Sequence, residues 1–242
     1  MVVFQLTATR AFTIYGAQGI LFVFFLFLAY KILNRDRKRL NIIFSLFYLS
    51  VVIGLLVNFI YAPIIDDTIV RILNFFTNFF IYFAVVFLVV FELILLKSEK
   101  VITFPKQLLI ILIYGIALFC MILLVFVDGW GVTLSQDEAT LLSPIWSPPF
   151  FIYVVLVVTL GGIIPTLYFA LQISKKFEDE TLKKRWKFFI IGVCFLYIFM
   201  YGIFISNTLN LPIFRTIMGA LGLILAITGG YLIYYGVGKS IE

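Results

Sequence analysis

Seven times along its 242 residues the chain runs for about twenty residues or more with scarcely a charge, and each run is long enough to cross a bilayer as a helix. A helix rises about 1.5 Å per residue, so about 20 apolar residues span a hydrocarbon core about 30 Å thick. Read between the charge breaks, the runs are 11–33, 41–64, 70–96, 107–127, 149–173, 187–207 and 212–236. The other way to cross a membrane is a closed barrel of short alternating strands, and a continuous stretch such as GILFVFFLFLAY excludes it. Apolar residues make up 64 % of the chain and charged ones 12 %, far from the roughly even and quarter shares of soluble domains. The fold class predicted is therefore all-α: a polytopic seven-helix bundle, one domain over 1–242, multi-pass in the cell membrane. The opening MVVFQLTATR has no basic segment before an apolar core and no small-residue cleavage site, so no removable signal is expected.

Charge sets the orientation. Of 18 lysines and arginines, 15 fall in or beside the first, third and fifth loops or at the C-terminal end, every lysine among them. The opposite face has Arg10, Arg71 and Arg215 against Asp66, Asp67, Asp128, Asp137 and Glu138. Positive charge is retained on the cytoplasmic side, which predicts an outside N-terminus and a cytoplasmic C-terminus. The net charge of +6 has the same origin, so its counter-charge is membrane lipid headgroups and no nucleic-acid partner is expected.

Missing residue types narrow the chemistry. There is no histidine, hence no imidazole for haem, zinc or a catalytic base. The last span has a lysine only at its end, Lys239, so a retinal Schiff base is not expected. Every aspartate lies in a loop or at a span end, and no GxxxxGK[ST] phosphate cradle is present. No enzymatic activity, cofactor or metal is expected; lipid-modifying chemistry by Tyr, Glu and Arg at an interface is the one class left open. Cys120 and Cys194 each fall inside a span and read as packing residues rather than as a disulfide.

The uncharged polar residues gather in the outer half: Thr13, Tyr15 and Gln18, then Asn58 and Tyr61, then Asn74, Thr77 and Asn78, then Tyr201 and Ser206, with Arg215 and Thr216 on the last helix. Asn74 and Asn78 share a helix face, as do Tyr197 and Tyr201. Buried amides must find partners in the bundle. One reading makes them interhelical hydrogen bonds worth about 0.6 kcal/mol each. The other makes Gln18, Asn58, Asn74, Asn78, Tyr201 and Arg215 the lining of an outward-opening site for a small ligand, with Arg215 anchoring a carboxylate or phosphate. Against the anchoring role stands snorkelling of Arg215 to the outer headgroups.

Glu92 stands five residues before Lys97 and is expected to reach the inner interface or pair with a basic residue, not to relay protons. Gly161, Gly162 and Pro165 can kink the fifth span, and packing is their expected role. Gly219, Gly222, Ala226, Gly229 and Gly230 form a close-packing face, with a homodimer as its second reading. The loop SKKFEDETLKKRWK is expected to prolong two helices with ion pairs at i to i+4. The segment 128–150, with Trp130 and Trp146, is expected either to fold back as a lid or to anchor its tryptophans among headgroups.

The stretches PIWSPPFFIYVVLVVTL, QISKKFEDETLKKRWKFFIIGV and LPIFRTIMGALGLILAITGGYLIYYGV, with seven spans and a Trp- and Pro-bearing outer loop, resemble the seven-helix N-terminal sensor region of membrane histidine kinases and diguanylate cyclases. That resemblance implies perception of an outside or membrane signal and its transfer by the last helix to a cytoplasmic effector. Here glycines and a few residues follow Tyr235. The expected output therefore goes to a separate cytoplasmic signalling protein through the Lys175–Lys187 loop and the NRDRKR turn, unless the natural chain is longer. The function expected is a receptor-like sensor of a small or amphiphilic molecule; the alternatives are a small permease for a metabolite or lipid, and a purely structural membrane protein.

Overall fold

The computed structural model describes residues 11–35, 38–136 and 142–238. Arg10, part of the NRDRKR turn, Asp137, Glu138, Leu141, Lys239 and the Thr13 side chain lie outside the described residues. Seven helices are long and apolar enough to cross a membrane: α1 (Ile14–Leu33), α2 (Arg39–Tyr61), α3 (Asp67–Lys97), α4 (Phe104–Val125), α5 (Pro148–Lys176), α6 (Glu180–Leu209) and α7 (Pro212–Val237).

The helix ends follow local capping chemistry. The third helix starts before the expected 70 because the Asp66 carboxylate accepts from the Ile69 backbone N–H at 2.9 Å, satisfying an orphan donor of the first turn. Asp179 does the same for Thr181 at 2.7 Å and brings the start of α6 back to Glu180 from the expected 187. Helices α5 and α6 are thereby prolonged past their apolar runs, as the charged loop suggested, but the ion pair on α6 is Lys183–Glu180, 3.3 Å apart at i to i+3. Ser147 caps α5, with prolines in its first turn where an N–H is dispensable. Two helices carry π-helical turns, Phe12–Ala17 and Thr159–Ile163, and α4 breaks after Phe119 and resumes at Ile122.

The helical bundle is all-α as expected, with one small addition. Between α4 and α5 the strands β1 (Val132–Leu134) and β2 (Pro144–Trp146) pair antiparallel, with Val132 opposite Trp146 and Leu134 opposite Pro144. Val132 and Leu134 are buried while Thr133 between them is exposed, the period-2 pattern of a half-buried ribbon. Strands of three residues in a long loop are too short a signal for sequence periodicity to separate from an irregular segment.

Helix α3 is the axis of the bundle. Its most apolar 18-residue window is 67 % buried, against 22 % for α4 at the periphery. Leu109, Leu112, Ile113 and Ile116 of α4 stay exposed, a greasy stripe at helical spacing. The core along α3 is aromatic: Phe44 of α2 stacks on Phe91 at 4.9 Å, and Phe91 faces Phe189 of α6 at 6.4 Å.

Helices α6 and α7 approach backbone to backbone. A Cβ at Gly192 would lie 2.6 Å from the Gly229 carbonyl oxygen, and one at Gly229 would lie 2.8 Å from that of Gly192. Gly222 and Gly230 are filled by Phe199 and Phe25, so this small-residue face packs inside the bundle, while nothing lies within 4 Å of a Cβ at Gly219. Gly229→Val is therefore expected to cost about 1–3 kcal/mol by overpacking. Gly219→Ala is expected to cost nothing, since it adds helix propensity in open space. Thermal unfolding of the two variants in the same detergent checks the contrast.

Candidate functional site

Asn74, Asn78 and Tyr82 recur every four residues on α3 and so share the stripe that faces the core. Tyr82 Oη donates to Asn78 Oδ1 at 3.0 Å, Asn78 Nδ2 to Asn74 Oδ1 at 3.0 Å, and Asn74 Nδ2 to Tyr61 Oη of α2 at 3.0 Å. All four side chains are buried. Tyr114 Oη of α4 then donates to the Tyr82 carbonyl at 3.1 Å, tying a third helix to the same column.

This column meets the fifth helix at its π-helical turn. Gly161 and Gly162 leave room there for α4 and α3: a Cβ at Gly161 would sit 2.7 Å from the Tyr114 ring, and one at Gly162 would sit 2.7 Å from Val85. The Gly162 carbonyl accepts from Thr166 Oγ1 at 2.9 Å, and Thr159 Oγ1 and Tyr201 Oη of α6 lie 2.5 Å apart. The glycines thus pack, as expected, in a widened turn of the kind that often marks functional sites.

The β-hairpin covers one end of the column. Trp146 is buried, with Tyr82, Phe204 and Phe150 at ring separations of 6.5, 5.6 and 5.2 Å, and its Nε1 has no hydrogen-bond partner. Trp130 is exposed, so of the two tryptophans one is a plug and the other faces outward. Arg215 at the start of α7 latches the hairpin. Its Nη2 donates to the Pro144 carbonyl at 2.7 Å and its Nη1 to Asn207 Oδ1 at 3.3 Å, while Nε is buried without a partner. Beside the hairpin is a cleft of about 280 Å³, lined by Arg71, Asp128, Thr133, Ile145 and Trp146 among others. Arg71 there pairs with Asp67 one turn earlier at 2.6 Å.

The residues expected to line a ligand site fall into four groups. Asn74 and Asn78 are joined in the column; Gln18 of α1 and Asn58 of α2 hydrogen-bond to each other; Tyr201 holds Thr159; and Arg215 holds Asn207 and the hairpin. Each is engaged with protein, and Arg215 turns to the hairpin rather than snorkelling outward. Tyr82, Tyr114 and Thr166, which the sequence reading does not single out, complete the arrangement with Trp146, read there as part of a lid or an anchor. Tyr82 is legible as Asn78 plus four, whereas Tyr114 and Thr166 come from helices whose rotation about their axes no spacing rule sets.

Glu92 is the larger correction. It is fully buried and neither carboxylate oxygen has a partner, so it does not reach the interface or pair with Lys97, which is exposed. Glu92 lies on the Asn74–Asn78–Tyr82 stripe, continued through Val85 and Val89 at three- and four-residue steps. Helix direction therefore places it on the core side.

At the lysine-rich end Trp186 Nε1 donates to the Ala170 carbonyl at 2.8 Å and its ring stacks on Phe189 at 4.4 Å, locking α5 to α6. Arg35 hydrogen-bonds to the Tyr234 hydroxyl and lies over its ring, joining α1 to α7. Among the described residues no group of three His, Cys, Asp or Glu side chains is placed to hold a metal, and Cys120 and Cys194 are free thiols. Searches against protein-family models and curated proteins find no match for the chain.

Removing the middle of the column leaves buried partners unpaired. Asn78→Ala is expected to lower unfolding free energy by about 1–3 kcal/mol. A double-mutant cycle with Tyr82→Phe is expected to show a coupling of about 0.6 kcal/mol or more. Denaturant titration in mixed micelles of wild type, both single variants and the double variant measures both quantities.

Proposed function

We propose that this chain is a receptor-like integral membrane protein, with its N-terminus and hairpin outside and its C-terminus in the cytoplasm. It perceives a small or amphiphilic molecule at the hairpin end and passes the change to a separate cytoplasmic protein. The observation that carries this reading is the seating of Trp146 on Tyr82 together with the Arg215 latch on Pro144. A ligand that moves the hairpin acts at once on the buried column of α3 and on the first turn of α7.

The outward stripes of Leu and Ile fit a lipid environment, and the charge bias fits the orientation. The cleft beside the hairpin offers Arg71 and backbone polar groups next to apolar walls, a mixture suited to a small amphiphile carrying an acidic group. The opposite end presents Lys175, Lys176, Lys183, Lys184 and Lys187 around the tips of α5 and α6 as the docking surface for the partner. The likeness of 144–237 to kinase and cyclase sensor regions supports the same direction of signalling. A permease is the second reading, favoured by the continuation of buried polar groups below Tyr82 to Glu92.

The test is a thermal-stability screen of the purified protein in lipid nanodiscs against metabolites, fatty acids and lipid headgroups. A true ligand at about 100 times its Kd stabilises by about 2.7 kcal/mol, and the shift is expected to vanish in Arg71→Ala while the unliganded stability changes little. No stabilisation across such a library would count against the receptor. Orientation is checked separately: an impermeant thiol reagent applied to cells is expected to label Thr133→Cys from outside and Glu178→Cys only after permeabilisation.

A further inference from the structure

Glu92 is the one described acidic side chain that is wholly enclosed by the bundle, and its surroundings are specific. Both oxygens lack hydrogen-bond partners. Toward it from α6 comes the buried Tyr197 hydroxyl, which lies beside Thr166 and close enough to Glu92 to feel its charge. On α5, Thr166 is fully buried and bonded to the Gly162 carbonyl. On α4, the Tyr114 hydroxyl is 3.4 Å from where a Cβ of Gly162 would stand and donates to the Tyr82 carbonyl. From α2 the neighbouring layer is Phe44 against Phe91, and the Tyr48 hydroxyl one turn away is engaged by the Gly230 carbonyl of α7. No lysine or arginine among the described residues hydrogen-bonds or ion-pairs with Glu92.

We propose that Glu92 is an intrabundle proton-binding site, its carboxyl enclosed beside the hydroxyl groups of Tyr197, Thr166 and Tyr114. An unpaired carboxylate in an apolar interior is among the costliest arrangements a protein can hold, and binding a proton removes the charge. In the closed bundle the carboxyl carries its proton. Release leaves a carboxylate and passes the proton to water, so atoms and charge balance with water as the only co-reactant. The neighbouring hydroxyls, which both donate and accept, occur where α4 and α6 meet α5 at its π-helical turn. The site is independent of which ligand, if any, meets the hairpin.

Infrared difference spectroscopy of the protein reconstituted in lipid tests the assignment directly. Wild type at neutral pH is expected to show the carbonyl stretch of a protonated carboxylic acid, absent from Glu92→Gln, and the band is expected to shift when the film is flushed with D2O. Tyr197→Phe is expected to slow that shift by about tenfold, the loss of one hydroxyl contact beside the carboxyl. If Glu92→Gln does not accumulate, selective isotope labelling of glutamate in the wild type assigns the same band. Three results would overturn the proposal: no protonated-acid band at neutral pH, a band that never shifts in D2O, or one abolished at constant pH by sodium or potassium, which would make the site one for a metal cation.

Discussion

Amides and hydroxyls enclosed by apolar helices can turn only to one another, and the arrangement of this bundle follows from that necessity. Helix α3 carries Asn74, Asn78 and Tyr82 on the stripe that faces inward, so α2 must bring Tyr61 and α4 must bring Tyr114 to meet them. Water is not there to accept a misplaced proton donor. In a bilayer, apolar packing alone would leave such helices free to rotate and slide, because lipid tails solvate leucine as well as a neighbouring helix does. The hydrogen-bonded column removes that freedom and fixes the register of α2 and α4 on the central helix.

Close approach does for α6 and α7 what hydrogen bonds do for α2, α3 and α4. The paired glycines at Gly192 and Gly229 let two backbones touch, and the turn between the helices holds Asn210 in the left-handed region at φ 50°, which asparagine tolerates better than most residues. Arg215 then couples this pair to the hairpin, and the hairpin to the top of the column. Two different physical devices, polar satisfaction and backbone contact, meet at one arginine.

Most of the helical framework was legible before any coordinates, since length and apolarity set where helices of this kind begin and end to within a few residues. The caps explain the differences: Asp66 and Asp179 draw helix starts back into polar sequence that a hydropathy reading assigns to loops. The polar clustering near the hairpin was legible too, because Asn74 and Asn78 sit a helical turn apart. What the residues alone did not disclose is rotation. Whether Gln18 turns to Asn58 or to Asn74, and whether Glu92 faces out to lysine or in to Tyr197, depends on helix azimuth, which uniformly apolar faces barely encode. The hairpin was unreadable for a different reason: its strands are three residues each.

The backbone contact between Gly192 and Gly229 has a mechanical consequence. It makes α6 and α7 a single stiff beam, and the 30 residues of α6 give that beam a length of about 45 Å. The contact at Gly192 is 18 residues from Asn210 in the turn and nearer to the other tip, where a Cβ at Gly236 would press on the Arg185 carbonyl at 2.9 Å. Such a beam does not bend readily under small loads; it tilts. A tug on Pro144 through Arg215 is therefore carried by both helices as one body, and their basic tips move together rather than separately.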